Sequence, residues 1–359
     1  MRYRLIDLFS GAGGMTLGFT DERFGGGFQC ILAIDNDKAA LETHNRNFRA
    51  KGVLANIEDW ITGQSEIPLA DVVIGGLPCQ GFSLLNKKRL TDSRRSLWNP
   101  YMDVVEQCTA SVFVMENVQG ILQSKEYDAI KKYAKKMGFQ VVASVLNAAD
   151  YGVPQTRQRA IIVGWQEKSV PSPAFPPART HCNPKTQSGL PSWLTVRDAI
   201  ADLPDLEGTE IRSCTPPLDL HFGRNPTKTS LARYKAIPPG GNRFDLQRNA
   251  LELTPACWIR KTSGGTDLFG RLWWDRPSVT IRTEFFKPEK GRYLHPEKHR
   301  PITHREAARL MGFPDDFQFL GSKTEIARQI GNAVPPTLAG AIAKMVKQML
   351  DSATNIEAA

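Results

Sequence analysis

The chain has 359 residues, of which 41% are apolar and 23% charged, and 46 basic against 37 acidic side chains give a net charge of +9. This composition predicts a globular protein with a substantial buried core, and no apolar run is long enough to span a bilayer. The positive charge suits a polyanionic partner such as nucleic acid, but a generally basic solvated surface would give the same balance.

The six cysteines form no CxxC pair and the six histidines show no ligand spacing. Both patterns argue against a metal site, and the first also argues against structural disulfides. Asp7 interrupts the N-terminal segment before the apolar core of a signal peptide could form. We therefore expect an intracellular, cytoplasmic protein with no membrane association and no metal.

Short apolar runs alternate with helical patterns over the first 165 residues. The apolar runs predict buried strands at residues 5–9, 31–34, 72–74, 112–115, 141–146 and 160–163. The clearest helical pattern runs from Ser124, a capping residue, to Met137, and Gly138 ends it. This alternation predicts a doubly wound α/β fold with a parallel or mostly parallel sheet.

Prolines and glycines interrupt the chain after residue 165. A short helix is predicted at 195–200, and short strands and loops are expected through 175–290. Regular patterning returns at Thr303, where a capping box with Glu306 starts a helix, and a last helix follows Pro336. We predict a catalytic and cofactor-binding domain at 1–170, a smaller irregular domain at 175–290, and a C-terminal segment at 291–350 that completes the first domain.

A glycine-rich turn, Asp7-Leu-Phe-Ser-Gly-Ala-Gly-Gly14, follows the first predicted strand, and the second strand ends at Asp35. Glycines at a strand-to-helix turn let a ligand approach the backbone amides, and an acid at the second strand can bind a ribose. A tight turn that serves only packing is the alternative. The spacing does not fit G-x-G-x-x-G, which disfavours an NAD enzyme.

Three further motifs lie at the ends of predicted strands. Cys79 follows one strand, Glu116 follows another, and Arg157 and Arg159 precede a third. These positions predict a thiol, a carboxylate and two guanidiniums on one rim of the sheet. A lone cysteine is more often a small buried hydrophobe than a nucleophile, but flanking glycines and Pro78 favour an exposed, shaped loop.

In their order along the chain, these motifs resemble those of the cytosine-C5 DNA methyltransferase family. The matching segments are Asp7 to Gly14, Pro78-Cys79-Gln80, Glu116-Asn117-Val118, Gln155-x-Arg157-x-Arg159, residues 305–314 and residues 329–334. The resemblance covers about 1–165 and 295–347, and the family keeps a variable target recognition domain between such segments. It implies transfer of a methyl group from S-adenosylmethionine to C5 of a cytosine in double-stranded DNA, with S-adenosylhomocysteine as product.

The same resemblance implies a role for each matching residue. Cys79 would attack C6 of a flipped-out cytosine, Glu116 would bind its N3 and N4 edge, Arg159 would hold O2, and Arg157 would support the site. The implied cofactor-binding residues are Phe9, Ser10, Gly11, Gly13, Gly14, Asp35, Asn36, Asn56, Ile57, Pro78, Leu97, Asn332 and Ala333. At three of these positions the chain departs from the usual pattern, since relatives commonly carry Asp at 56, Glu at 35 and Ser at 333.

The resemblance also bears on partners. We expect a monomer near the nucleoid that acts separately from any companion restriction endonuclease. By analogy with the family, a basic segment after Cys79 would close over phosphates. The alternative is a solvated basic loop. The basic residues of this segment are Lys87, Lys88, Arg89, Arg94 and Arg95. Candidates for contacts to guanine edges or phosphates within 175–290 are Arg224, Lys228, Arg233, Arg243, Arg248, Arg260, Lys261, Arg271 and Arg282. Trp273 and Trp274 are interpreted as core of this domain.

Three alternatives stay open at this point. An RNA cytosine-C5 methyltransferase would use the same chemistry, although this chain lacks the Cys-Phe-Thr tripeptide of those relatives. A catalytically silent DNA-binding homologue would have lost the nucleophile or the acid, yet Cys79 and Glu116 are both present. An oxidoreductase on a similar sheet is the third alternative.

Overall fold

The computed structural model describes residues 2–63, 66–78, 81–82, 92–187, 189–260 and 263–357. The chain divides into two compact units, of which the first comprises Met1–Gly152, Arg157–Pro191 and Ala333–Ala359. The second comprises Val153–Thr156 and Ser192–Asn332. Among the described residues, none of the helices combines the length and the hydropathy needed to cross a membrane.

The first unit is built on a seven-stranded sheet. Its strands are β1 (Tyr3–Leu8), β2 (Phe28–Asp35), β3 (Lys51–Leu54), β4 (Val72–Gly76), β5 (Val112–Asn117), β6 (Phe139–Asn147) and β7 (Gln158–Gln166). Their order across the sheet is β3-β2-β1-β4-β5-β7-β6. The first five strands pair in parallel, whereas β7 pairs antiparallel with both β5 and β6. The predicted doubly wound, mostly parallel α/β fold is therefore confirmed.

Six of the seven strands coincide with predicted apolar runs, and β3 is the one that the sequence reading missed. This strand has only four residues and lies at the edge of the sheet, where Lys51 and Leu54 are exposed. A short edge strand need not be apolar on both faces, so the apolar run that marks a central strand is missing here.

Helices cover both faces of this sheet. They are α1 (Gly14–Thr20), α2 (Lys38–Asn47), α3 (Ile57–Gly63), α4 (Trp98–Gln107), α5 (Lys125–Lys136) and, at the end of the chain, α12 (Pro336–Glu357). The predicted cap of α5 is confirmed, because Ser124 accepts a hydrogen bond from the Tyr127 amide. The prediction of a last helix after Pro336 is confirmed as well.

Close packing fixes these helices on the sheet. The hydroxyl of Tyr101 in α4 donates to the carbonyls of Val73 and Val114, each at 3.0 Å, which ties the helix to β4 and β5. Glycine permits the close approach of α1 and α12, since a Cβ at Gly18 would lie 2.5 Å from the Cβ of Ala339. A larger residue at position 18 would push the two helices apart.

Short helices and irregular segments make up the second unit. Its helices are α6 (Val196–Ile200), α7 (Lys228–Ala236), α8 (Arg243–Asn249), α9 (Ala256–Ile259), α10 (His304–Leu310) and α11 (Lys323–Asn332), and β8 (Gly270–Arg271) pairs with β9 (Arg292–Leu294). The predicted helix near 195–200 and the capping box of Thr303 with Glu306 are confirmed. The expected short strands and loops across 175–290 are found in part: β8 has two residues and irregular segments predominate, but the short helices α7, α8 and α9 were not predicted.

Buried arginines hold this irregular backbone together. Arg271 donates to the carbonyls of Tyr234, Ile237, His295 and Lys298 at 2.6 to 3.0 Å. In the same way, Arg243 donates to carbonyls of residues 258 and 263–265. Carbonyls at helix ends and in turns thus find charged donors inside the unit.

Candidate active site

The functional candidates of the first unit meet at the rim where its parallel strands end. The strand order reverses between β1 and β4, and α/β proteins bind ligands in the crevice that opens at such a point. Strand β7 runs antiparallel to β5, so that its first residues lie where β5 ends. This topology brings Glu116 of β5 beside Arg159 of β7.

Glu116 and Arg159 form a buried ion pair. Nε of Arg159 lies 2.8 Å from Oε1 of Glu116, and the two side chains are 15% and 10% exposed. Oε2 has no hydrogen-bond partner among the described residues and faces Gly76, where a Cβ would lie 3.3 Å away. Burial raises the pKa of Glu116, against the opposing effect of Arg159 and Arg157. One carboxylate oxygen is thus committed to Arg159 and the other is open to a ligand.

Arg157 has a different environment from Arg159. It is 1% exposed, its Nη2 donates to the carbonyl of Ala333 at 3.0 Å, and its backbone amide donates to Oδ1 of Asn147 at 3.2 Å. Both cations act to lower the pKa of Glu116, and the prediction that both arginines serve one site stays a prediction. Its contact with Ala333 makes Arg157 the link between the rim and the C-terminal segment.

The glycine-rich turn is held open beside the end of β2. Oδ2 of Asp35 accepts a hydrogen bond from the Gly11 amide at 2.7 Å, and Oδ1 accepts one from the Asp37 amide at 2.7 Å. Gly11 has a φ of +54°, and the position of a Cβ there has no atom within 4 Å. Ser10 Oγ is buried without a hydrogen-bond partner among the described residues. An orphaned hydroxyl beside open space is what a polar ligand of this turn would occupy.

Asp7 is a buried acid at this turn to which the sequence reading gave no role of its own. Its Oδ2 accepts a hydrogen bond from the Thr16 hydroxyl at 2.5 Å, and that hydroxyl lies 3.1 Å from Nε2 of His44. Its Oδ1 has no partner among the described residues, and burial raises its pKa to about 7. An acid inside an otherwise apolar strand was the signal that could have marked it.

The other predicted cofactor residues surround the same rim. Asn36 donates to Oδ1 of Asn56 at 3.1 Å, and both side chains are exposed. Ile57 is buried at the start of α3. Phe9 has a φ of +56°, a left-handed backbone that is strained for a side chain of this kind and is found at ligand sites.

Gly13 and Gly14 lead into α1, where a Cβ at Gly13 would collide with Phe48. Pro78 and Leu97 are half-buried in the first unit, whereas Asn332 ends α11 in the second unit and its role stays a prediction.

Cys79 lies outside the described residues, as do Gln80, Lys87, Lys88, Arg89 and Lys261. Leu77, two positions before Cys79, is bonded to the end of β5, because its amide donates to the Glu116 carbonyl at 3.2 Å. Arg94 pairs with Asp92 at 2.7 Å, and Arg95 pairs with Glu126 at 2.5 Å with only 13% of its side chain exposed. A protein carboxylate thus engages the Arg95 guanidinium, and a contact of Arg95 with phosphates stays a prediction.

The structure also sorts the basic candidates of the second unit. Arg243 and Arg271 are 0% and 1% exposed, so their predicted contact with DNA was wrong. Arg248 and Arg260 are exposed, and the guanidinium of Arg260 has no partner among the described residues. Trp273 and Trp274 are half-buried rather than core, since Arg292 and Arg276 lie over the first ring and Arg197 over the second. In the described part of the chain no group of three His, Cys, Asp or Glu side chains could hold a metal ion.

Comparisons with known proteins identify the family of the chain. The model of the C-5 cytosine-specific DNA methylase family matches residues 3–348. A Type II methyltransferase of Haemophilus parahaemolyticus, M1.HphI, is 35% identical over 97% of this chain and 88% of its own length. M.XorII of Xanthomonas oryzae is 34% identical over 96% of this chain and 84% of its own length.

A solved structure shares the fold over nearly the whole chain. It is a prophage-encoded protein of E. coli described as a DNA modification methyltransferase, with a TM-score of 0.72, 26% identity and coverage of 97% of this chain and 99% of that one. The S. pombe Dnmt2 methyltransferase, at 16% identity and a TM-score of 0.63 over 98% of this chain and 99% of its own, supports the fold alone. The chain belongs to the C-5 cytosine-specific DNA methylase family and is a DNA (cytosine-5-)-methyltransferase.

Proposed function

We propose that this enzyme methylates C5 of a cytosine flipped out of duplex DNA, through a transient covalent bond between Cys79 and C6 of the base. The observation that carries the proposal is the buried Glu116–Arg159 pair at the rim, next to the strand that leads into Cys79. The names of the Type II relatives support a role in modification, with any endonuclease acting separately.

Cys79 is the proposed nucleophile because C5 of cytosine is a weak nucleophile until C6 is substituted. Addition of the thiolate to C6 moves the electrons of the C5–C6 double bond onto C5, which can then bond to an electrophilic carbon. Loss of the C5 proton and departure of the sulfur from C6 restore the aromatic ring and the free thiolate. A free thiol has a pKa of about 8.5, so nearby positive charge favours the reactive form.

Glu116 is the proposed partner of the cytosine N3 and N4 edge. Its free Oε2 can accept a hydrogen bond from the N4 amino group or share a proton with N3, while Oε1 stays with Arg159. Burial raises the pKa of Glu116 and so favours sharing of a proton with N3, and a proton at N3 makes C6 a better acceptor of the thiolate. Arg159 orients this carboxylate and is proposed to hold O2, and Arg157 is proposed to support the site through Ala333.

The residues at the glycine-rich turn fit S-adenosylmethionine, on which the family depends. When bound, this cofactor supplies an electrophilic methyl group and leaves as S-adenosylhomocysteine. Open space at Gly11 and the orphaned Ser10 hydroxyl suit its polar amino-acid part, and Asp35 stands where a ribose is bound in this fold. The other proposed contacts are Phe9, Gly13, Gly14, Asn36, Asn56, Ile57, Pro78, Leu97, Asn332 and Ala333.

Duplex DNA is the proposed partner, read by residues within 175–290. A net charge of +9 favours a polyanion, and exposed cations such as Arg260 and Lys228 are proposed to contact phosphates or guanine edges. Extrusion of a base costs a few kcal/mol, which such contacts would offset. We propose a cytoplasmic monomer, since one strand is modified at a time.

The decisive experiment compares the enzyme with its Cys79→Ser variant. Bisulfite mapping of DNA from cells that express the enzyme identifies the methylated sequence, and a duplex with 5-fluorocytosine at that position is then incubated with enzyme and S-adenosylmethionine. We expect a stable adduct at Cys79, and we expect Cys79→Ser to lose methyl transfer by more than about 10³-fold while it still binds the duplex. Methylation without an adduct would refute the mechanism, and methylation of tRNA alone would refute the substrate.

A further inference from the structure

Arg95 connects a helix of the first unit to the segment that follows Cys79. Its Nε and Nη2 donate to the two carboxylate oxygens of Glu126 at 2.8 and 2.5 Å, and its Nη1 donates to the Gly81 carbonyl at 2.6 Å. Its guanidinium carbon lies 4.6 Å from the centre of the Phe82 ring. One side chain thus contacts both described residues that follow the nucleophile motif.

Glu126, the partner of Arg95, is held in place by helix α5. It lies in the first turn of α5, after the capping residue Ser124, where the helix dipole favours negative charge. Burial acts to raise its pKa, but the hydrogen bonds from Arg95 and from its own backbone amide bring the pKa below its usual value. A bidentate, charge-assisted pair of this kind is both strong and geometrically specific.

Gly81 makes room for this contact. A Cβ at position 81 would lie 2.7 Å from Cγ of Arg95. A side chain at 81 would therefore force Arg95 to shift from the position in which it binds Glu126.

Cys79 lies between two fixed points of the chain. On the N-terminal side, Leu77 is bonded to β5 through the Glu116 carbonyl at 3.2 Å and the Asn117 side chain at 3.4 Å. On the C-terminal side, Gly81 is bonded to Arg95. In the sequence, Cys79 is two positions from each of these residues. Movement of either one would change where the thiol can lie.

We propose that Arg95 and Glu126 are positioning residues, which we call the Arg95 clamp, and that they hold Gly81 and Phe82 so that Cys79 meets C6 of the base. This inference rests on the proposed role of Cys79. Misplacement of a reacting atom by about 1 Å can cost roughly 10²-fold in rate. A loosened clamp therefore slows formation of the covalent bond and leaves binding of the cofactor largely unchanged.

The test measures the rate of adduct formation on the 5-fluorocytosine duplex in single-turnover conditions, together with S-adenosylhomocysteine affinity by calorimetry. Arg95→Lys keeps the positive charge but cannot form the bidentate pair of hydrogen bonds with Glu126. Glu126→Gln keeps the shape of the side chain but removes its negative charge. Matched controls are Arg23→Lys, which alters an exposed bidentate pair with Asp21, and Asp128→Asn, which removes an exposed acid from the same turn of α5.

We expect Arg95→Lys and Glu126→Gln to slow adduct formation at least tenfold, with S-adenosylhomocysteine affinity within about twofold of the unaltered enzyme. Both control variants should form the adduct at the rate of the unaltered enzyme. Adduct formation at an unchanged rate in Arg95→Lys would overturn the clamp, and so would a parallel loss of S-adenosylhomocysteine binding, which would assign Arg95 a folding role. If the unaltered enzyme itself forms no adduct, the proposed function fails before the clamp is tested.

Discussion

The two units differ in the ionisable side chains that they bury beside their backbone. In the first unit the buried ionisable groups at the rim include acids at strand ends or near them, such as Asp7 and Glu116, and each has an oxygen without a partner among the described residues. In the second unit the buried charges include arginines such as Arg243 and Arg271, whose donors are taken up by backbone carbonyls. Acids with a free oxygen are prepared for a ligand, whereas these arginines serve the fold.

The difference follows from the backbone of each unit. A regular sheet satisfies its own amides and carbonyls, so polar side chains at strand ends are left free for chemistry. Short helices and turns leave carbonyls unpaired, and a guanidinium with five N–H donors can satisfy several at once. A basic composition is therefore a poor guide to how many arginines of the second unit are available to DNA.

Arg271→Met should have the largest effect on stability, because it removes a buried charged donor that four backbone carbonyls share, of which those of Tyr234 and Lys298 keep a backbone donor. Burial lowers the pKa of Arg271 to about 10, so the side chain remains protonated at neutral pH and its carbonyl partners are bonded to a charged donor. We expect the free energy of unfolding to fall by about 3–5 kcal/mol in urea titrations. Arg260→Met, the same change at an exposed site, is the control, and a loss below about 1 kcal/mol in Arg271→Met would show that the carbonyls find other donors.

Asp7→Asn tests the free acid in the first unit and should change the pH dependence of stability. The folded pKa of Asp7 is raised to about 7 from an ordinary 3.8, because burial disfavours the charge. Between these two values the unfolded chain has lost the proton and the folded protein keeps it, so stability falls as pH rises from about 4 to 7. In Asp7→Asn we expect this contribution to the fall in the free energy of unfolding, which is up to a few kcal/mol, to be absent.

The measurement for Asp7→Asn is the midpoint of urea unfolding at intervals between pH 4 and 8. Thr16→Val is a useful companion, because it removes the hydroxyl that Asp7 binds and leaves the acid in place. Parallel pH profiles for the unaltered protein and Asp7→Asn would mean that Asp7 is ionised throughout, contrary to its burial.

Much of the first unit could be predicted from the sequence because buried strands and helix caps have local signatures. The apolar runs marked six strands, and Ser124 and Thr303 marked two helix starts. The proximity of Glu116 and Arg159 also followed from strand ends alone, since topology brings such ends together. An exposed edge strand such as β3 lacks that apolar signature.

The second unit was harder to predict because its contacts are not local. Helix α8 does have a capping box, Asn242 with Asp245, and this signal was missed among the prolines and glycines nearby. No pattern distinguishes Arg271, which donates to carbonyls up to 37 positions away, from Arg260, which faces solvent. Only the fold decides which guanidiniums remain outside.

Arg260→Ala should have the smallest effect and tests the exposed side of the comparison. Its guanidinium has no partner among the described residues, so its removal should change the free energy of unfolding by less than about 0.5 kcal/mol. If it contacts a phosphate, duplex affinity should fall a few-fold for every sequence, and the slope of log affinity against log salt should fall by about 1. If it contacts a guanine, discrimination at one position of the site should be lost instead. Titration of a specific and a nonspecific duplex at several salt concentrations separates these outcomes, and unchanged affinity for both would mean that α9 and Arg260 lie away from the DNA.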